Sequence, residues 1–202
     1  MSPRLRKAED ADIFAAMVRV MMRVGPAELT LSAIAKEAGI TAGALVQRFG
    51  SKRKLMLAHA RYAAATLDIG FGPPATRPES PLSAIHEVAE AYAQLADSPR
   101  AALRNLAYFL RDLADPALRR NLLRLHGAAR GYYERLVTDA IGAGELRADT
   151  DVQGLARTIA VTLEGSFLSW TLFQQGPALD WLSEDLKAVL RPHLTDRGLE
   201  IR

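Results

Sequence analysis

The sequence predicts an all-α protein of about nine helices, and three features of its 202 residues carry this prediction. Apolar residues recur at helical spacing, and no stretch alternates apolar and polar residues as a β-strand does. Capping residues precede first-turn prolines at Ser80, Ser98 and Asp115, an arrangement that opens helices. Glycines or Gly-Pro pairs follow most of the periodic segments, where helices end.

The first predicted domain covers residues 1–68. Its helices are predicted at 8–24, 31–38, 42–49 and 52–67. Gly39 supplies the left-handed residue that ends the second helix, and the hydroxyl of Thr41 caps the third. Two short helices around so tight a turn describe a helix-turn-helix, the motif that places its second helix in the major groove of DNA.

The second of these short helices begins with the small residues Ala42, Gly43 and Ala44. A structural helix gains little from glycine on its solvent side, because glycine costs about 1 kcal/mol relative to alanine there. A helix pressed into a DNA groove, in contrast, needs small residues for close approach. DNA binding is therefore favoured, with a purely structural helix pair as the alternative.

The charge of the chain is unevenly distributed. Residues 1–65 hold 11 lysines and arginines against 5 acidic residues, whereas 66–202 hold 15 against 18. Lys52, Arg53 and Lys54 stand together at the start of the fourth helix, where three cations oppose the helix dipole unless an anion is nearby. A basic end that contacts phosphates fits this distribution, and chance clustering is the alternative.

The segment 13–55 resembles the DNA-binding domain of the TetR family of transcriptional repressors. The matching residues, spread over about a fifth of the chain, are Ile13, Ala16, Gly25, Thr30, Ile34, Ala35, Ala38, Gly39, Thr41, Gly43, Leu45, Phe49, Ser51, Lys52 and Leu55. Two positions depart from the family pattern. Val46 stands where a phosphate-binding tyrosine is usual, and Met21 where an aromatic residue is common.

The resemblance implies roles for nine residues. Ala42, Gly43, Ala44 and Gln47 would approach base edges, and of these Gln47 alone can form directed hydrogen bonds, including a bidentate pair with adenine. Arg48 would reach a base or a phosphate. Thr30, Thr41 and Lys52 would hold the DNA backbone, while Val46 cannot donate the expected hydrogen bond.

A second domain is predicted over 69–202, after the proline-rich stretch 68–81. Its helices are predicted near 82–96, 99–113, 116–142, 150–174 and 179–190, with Thr150 and Gln153 as a capping box. The 150–174 helix is apolar almost all round, which predicts burial on two sides. Pairing of the last two helices with those of a second copy would bury them, as the resemblance also implies; one large core within a single chain is the alternative. The residues predicted for this interface are Leu163, Phe167, Trp170, Leu182, Leu186 and Val189.

The resemblance also implies a small-molecule pocket in the second domain. Polar and aromatic side chains lie on the apolar stripes of its middle helices, and the predicted lining residues are Tyr92, Tyr108, Phe109, His126, Tyr133 and Glu164. Their apolar surroundings favour a largely apolar effector with one or two polar groups. A histidine on an apolar stripe is more often a core residue, and that alternative stays open for His126.

Several classes of protein are disfavoured by the sequence. Cysteine is absent, the four histidines lack metal-ligand spacing, and no nucleophile–base set or phosphate loop is recognisable, so neither a cofactor, a metal nor an enzyme is predicted. There is no secretory signal or membrane-spanning stretch, which predicts a cytoplasmic protein. The prediction is thus a homodimeric repressor that binds a palindromic operator in double-stranded DNA and is released by a small effector. A protein-interaction module that uses the helix-turn-helix as scaffold is the alternative, and a helical enzyme is a more distant one.

Overall fold

The computed structural model describes residues 9–70 and 80–200, and for 64–70 it describes the backbone alone. The described residues form ten α-helices and no strand, which confirms the predicted all-α class. The helices are α1 (Asp10–Arg23), α2 (Leu31–Ala38), α3 (Ala42–Phe49), α4 (Lys52–Gly70), α5 (Pro81–Ala93), α6 (Pro99–Ala114), α7 (Pro116–Gly142), α8 (Val152–Phe173), α9 (Ala178–Leu190) and α10 (Asp196–Leu199). The short α10 was not predicted; it follows a 3-10 turn at Arg191–His193.

The helices group into two compact units. The first unit contains the chain through Ala65 together with Leu103–Leu123, and the second contains Thr66–Ala102 and the chain from Arg124 onward. The long helices α6 and α7 are therefore each shared between the units. Most of the stretch 68–81 predicted to separate two domains lies outside the described residues, so the boundary at 68 stays a prediction. No helix in the described part of the chain is long and apolar enough to cross a membrane.

The first unit is built around one apolar core that joins its short helices. The fully buried side chains of this core are Ile13, Met17, Leu29, Ile34, Leu45 and Leu55. Phe14 extends it with ring contacts to Phe49 at 6.0 Å, His59 at 5.6 Å and Tyr62 at 5.1 Å. Burial lowers the pKa of His59, so the neutral imidazole packs there as an aromatic group.

The second unit has its own core, and this core corrects the predicted dimer interface. Leu163, Phe167, Trp170, Leu182 and Leu186 are buried within the chain, and Val189 packs against them. The indole nitrogen of Trp170 donates to the carbonyl of Gly176 at 3.0 Å, which also fixes it inward. The five buried residues form the stripe by which α8 and α9 join the core of the second unit, so they cannot also be its outer surface; Val189 is half-buried, and its place at an interface stays a prediction.

The two-sided apolar character of α8 is nevertheless real. Its opposite face exposes Val161, Leu168 and Leu172, which recur at i, i+7 and i+11. Phe173 at its end is exposed as well and stacks on Trp181, with ring centroids 5.6 Å apart. The sequence pattern thus predicted two apolar faces correctly but assigned the wrong one to the surface.

Two buried polar groups lie near the starts of helices in the second unit. Glu145 is buried, and its carboxylate accepts a hydrogen bond from the amide of Leu82 at 2.8 Å, which satisfies an otherwise unpaired donor in the first turn of α5. Thr150 does not cap α8 as predicted. Asp151 occupies the N-cap position, and the buried Thr150 hydroxyl has no hydrogen-bond partner among the described residues.

Candidate nucleic-acid interface

The turn between α2 and α3 has the geometry of a helix-turn-helix. Thr30 caps α2 by accepting from the amide of Ala33, and Thr41 caps α3 by accepting from the amide of Ala44, both at 3.1 Å. Gly39 between the helices has φ 69°, a left-handed conformation that a side chain would strain. The sequence therefore fixes both helix starts and the turn by local chemistry, as predicted.

Charged contacts hold α1 against α2. Glu37 accepts hydrogen bonds from Arg19 at 2.7 Å and from Arg23 at 2.5 Å. These two hydrogen bonds, that from Arg19 foremost, lower the pKa of Glu37. Because both arginines extend from one face of α1, they link that face to Glu37 on α2.

The outer face of α3 carries few polar groups. Gly43, Ala44, Val46 and Gln47 are exposed on it, and Ala42 is half-buried at its start. The side-chain amide of exposed Gln47 can both donate and accept hydrogen bonds. Arg48 is exposed too, with its guanidinium 2.7 Å from the carboxylate of Asp10 on α1. The predicted base-reading residues therefore share one accessible surface, apart from the half-buried Ala42.

The three cations at the start of α4 have different surroundings. Lys52 is half-buried, and its ammonium donates to the carbonyl of Leu29 at 2.8 Å, just before the Thr30 cap. Arg53 forms a bidentate pair with Asp115, at 2.7 and 3.0 Å. Lys54 is exposed. In the structure Lys52 ties α4 to Leu29, two residues before α2, and its predicted contact with the DNA backbone stays a prediction.

Asp115 combines two roles within the first unit. Besides pairing with Arg53, its carboxylate accepts from the backbone amides of Ala117 and Leu118 at the start of α7. The hydrogen bond from Arg53 contributes most to lowering the pKa of Asp115 to about 2. The sequence predicted Asp115 as a cap and Arg53 as a cation, but not their pairing, because 62 residues separate them.

Four of the six residues predicted to line an effector pocket lie together in the second unit. His126 of α7 approaches Glu164 of α8, with 2.9 Å between Nδ1 and Oε1. Burial, with a smaller contribution from the nearby Glu164 carboxylate, raises the pKa of Tyr92 and raises that of Tyr133 to about 12. The Tyr92 ring also meets Phe167 at 6.0 Å. The result is one carboxylate and one imidazole at the edge of an aromatic cluster.

The other two predicted lining residues belong to the first unit. Tyr108 is buried, and its hydroxyl donates to the carbonyl of Val24 at 3.0 Å, at the C-terminal end of α1. Phe109, the next residue of α6, is half-buried. The structure therefore gives Tyr108 a role in holding α1 within the first unit, and the place of these two residues in an effector pocket stays a prediction.

Comparison with known proteins identifies the family. Residues 13–59 match the family model of bacterial regulatory proteins, tetR family, and residues 78–186 match that of the tetracyclin repressor-like C-terminal domain. The chain belongs to the TetR family. It is a transcriptional regulator, and the helix-turn-helix of this TetR-family chain is its DNA-binding element. No curated protein sequence matches the chain.

Solved structures share the TetR-family fold at low sequence identity. A TetR regulator from Haloarcula marismortui ATCC 43049 is 16% identical with a TM-score of 0.75, covering 92% of this chain and 98% of its own. A transcriptional regulator from Saccharomonospora viridis, in complex with choline, is 15% identical with a TM-score of 0.76, covering 93% and 98%. The regulator FadR from Bacillus subtilis, in complex with stearoyl-CoA, is 16% identical with a TM-score of 0.66, covering 90% and 97%.

The Arg53–Asp115 pair gives this TetR-family protein a defined acid sensitivity. Because the folded-state pKa of Asp115 is about 2 and the ordinary value is 3.8, the pair stabilises the fold above about pH 4 and is lost as pH falls toward 2. We expect Asp115→Asn to be less stable than wild type at pH 6, with a difference that shrinks below pH 4. Urea unfolding at several pH values measures this, with Asp139→Asn, an exposed change on α7, as the control. A difference that stays constant down to pH 2 would contradict the assignment.

Proposed function

We propose that this chain is a cytoplasmic, homodimeric repressor that binds a palindromic operator and releases it when a small effector binds. The observation that carries the proposal is the accessible face of α3, on which Gly43, Ala44, Val46 and Gln47 are exposed while Leu45 anchors the helix inward. Such a face suits close approach to base edges in the major groove. The family supports DNA as the target.

Reading and positioning fall to different residues in this proposal. Gln47 reads a base, and the Thr30 and Thr41 hydroxyls, which accept from backbone amides, can donate their own protons to phosphates. Arg48 exchanges Asp10 for a phosphate or base edge. Lys52 acts mainly by holding α4 to the start of α2, with its positive charge still close to the DNA backbone.

Operator binding tests the proposed function directly. DNA selected from a random pool by the wild-type protein should contain an inverted repeat, and its affinity should fall steeply between low and physiological salt. Gln47→Ala should relax preference at one base pair per half-site, by roughly 1–3 kcal/mol. Val46→Ala is the matched control, since it removes apolar atoms from the same face. Unchanged preference at every position in Gln47→Ala would remove the proposed reading role, and no selected sequence at all would remove operator binding.

The dimer contact is proposed on the exposed apolar face of α8, formed by Val161, Leu168 and Leu172. Leu172 is 73% exposed in the single chain, and exposed apolar side chains at helical spacing are typical of a surface that a partner helix covers. A second copy, related by a two-fold axis, would bring the same face to meet itself.

Leu172→Glu tests this contact without disturbing the core. A carboxylate buried twice across a two-fold axis would be unpaired, and we expect the variant to sediment as a monomer and to lose most operator affinity. Leu199→Glu is the control, because Leu199 is 63% exposed and lies on α10. Circular dichroism should show both variants folded. A Leu172→Glu protein that remains a dimer would place the interface elsewhere.

The effector is proposed to contact the His126–Glu164 pair and the aromatic residues beside it. Tyr92 and the buried Tyr133 and Phe167 make the surroundings of the pair aromatic, while the carboxylate and imidazole can receive a hydrogen-bond donor or a cation. The two similar structures in complex with choline and stearoyl-CoA support the idea that this fold holds small molecules. We therefore propose an effector with an apolar body and one donor group.

Linkage between effector and operator tests this part of the proposal. A compound found by thermal shift should weaken operator binding by the same factor by which the operator weakens its own binding. Glu164→Gln should reduce affinity for that compound, whereas Glu90→Gln, an exposed change on α5, should not. Stabilisation by a compound without any change in operator affinity would leave a binding site but no switch.

A further inference from the structure

Helix α6 exposes its apolar side. Leu103 and Leu110 are 62% and 64% exposed, Leu113 is 40% exposed, and Leu106 between them is half-buried. All four leucines belong to the first compact unit, the one that contains the helix-turn-helix. We call this set, Leu103, Leu106, Leu110 and Leu113, the leucine stripe.

The opposite, polar side of α6 faces the first unit. Arg104 donates to the carbonyl of Met22, and Tyr108 donates to that of Val24, both at the end of α1. Arg111 lies over the Tyr108 ring and donates to the sulfur of Met56 at 3.3 Å. Rotating α6 to bury its leucines would break these contacts. The leucine stripe is therefore held outward by the polar face.

The spacing of the leucine stripe identifies what could cover it. Steps of three, four and three residues are those of a helix that packs along a second helix. The stripe is also symmetric about position 108, with Leu103 and Leu113 five residues away on either side and Leu106 and Leu110 two residues away. Antiparallel pairing with an identical helix requires that symmetry, because each leucine then meets a leucine across the two-fold axis.

The flanking residues also suit self-pairing. Ala107 and Ala114 border the leucine stripe, so two backbones can approach closely and no like charges face each other across the seam. Arg100 is exposed one turn before the stripe. In an antiparallel pair the two Arg100 positions lie at opposite ends, separated by roughly 24 Å at 1.5 Å per residue, so their repulsion is slight.

We propose that the leucine stripe of α6 pairs antiparallel with the same stripe of a second copy, and so joins the two DNA-binding units directly. Four leucines offer far less than the roughly 800 Å² per partner that a stable interface buries. The contact therefore needs another to hold the copies together, and in that respect it rests on the proposed dimer. Its own effect is to fix one helix-turn-helix relative to the other, through the contacts of Arg104 and Tyr108 with α1.

Cysteine crosslinking tests the pairing, because the natural chain has no cysteine. Two differently tagged chains, one with Leu106→Cys and one with Leu110→Cys, would be co-expressed and mildly oxidised. Antiparallel pairing predicts a covalent dimer that contains both tags, in clear excess over dimers of either variant alone. A co-expressed pair of Leu199→Cys chains gives the background, since Leu199 is similarly exposed but lies on α10. Crosslinking no greater than this background would overturn the proposal.

A charge substitution supplies the second readout. Leu110→Glu should weaken operator binding roughly tenfold or more, while Leu199→Glu leaves it unchanged and both proteins remain folded. Unaltered operator affinity would overturn the proposal, as would Leu110-dependent binding to anionic phospholipid vesicles without crosslinking, which would make the stripe a membrane surface. If Leu172→Glu leaves the protein dimeric while the α6 crosslink persists, the proposed α8 contact fails and the α6 contact stands.

Discussion

The accessible face of α3 depends on one inward anchor, the burial of Leu45. α3 is eight residues long, too short to be stable as an isolated helix, so its order has to come from packing. Leu45 shares a core with Leu29, Ile34 and Leu55, which come from the segment before α2, from α2 and from α4. Because Leu45 is fully buried there and Phe49 packs on Phe14 at the end of the helix, the face that carries Gly43, Ala44, Val46 and Gln47 is left to the surface. Truncation of Leu45 would leave a cavity beneath α3 and remove the main force that orients it.

Polar contacts attach residues 103–123 to the rest of the first unit. Arg104 and Tyr108 hold the end of α1 by its carbonyl groups, and Arg53 holds Asp115. Hydrogen bonds of this kind are directional and individually modest, typically about 0.5–1.5 kcal/mol net. They set the geometry of the unit more than its overall stability, which the apolar core supplies. A shift of α6 of even an ångström would therefore have to break or remake specific bonds to α1.

Features set by local chemistry could be predicted from the sequence. Thr30 and Thr41 cap helices that begin at the next residue, and Gly39 ends the helix just before it. The helix-turn-helix and its boundaries could therefore be predicted from capping and from the left-handed glycine. The start of α7 at Pro116 was predicted correctly for the same reason. Periodicity also revealed that α8 has two apolar faces.

Features that depend on the packing of distant segments could not be predicted. Which apolar face of α8 is buried depends on where α9 lies, so Leu163 and Phe167 were assigned to the surface in error. Lys52 and Arg53 carry the charge expected of them, but their partners Leu29 and Asp115 are 23 and 62 residues away. Spacing along a helix placed His126 on an apolar stripe, and only the fold brought it to Glu164. Of the nine residues assigned to DNA, the structure exposes seven and half-buries Ala42 and Lys52, and the individual role of each remains a prediction.

The exposed face of α3 carries few hydrogen-bonding groups, which limits how strongly its side chains can discriminate between DNA sequences. Gln47 offers one directed hydrogen-bonding group there, Arg48 is engaged by Asp10, and their neighbours are glycine, alanine and valine. One bidentate contact discriminates by roughly 1–3 kcal/mol, whereas a genome presents roughly 10⁶–10⁹ competing sites. A surface of this kind has to draw on the local stiffness and groove width of the double helix, which differ between base-pair steps that no side chain touches. If the proposed operator binding holds, the binding sites would share the flexibility and groove width of their DNA as much as their base sequence.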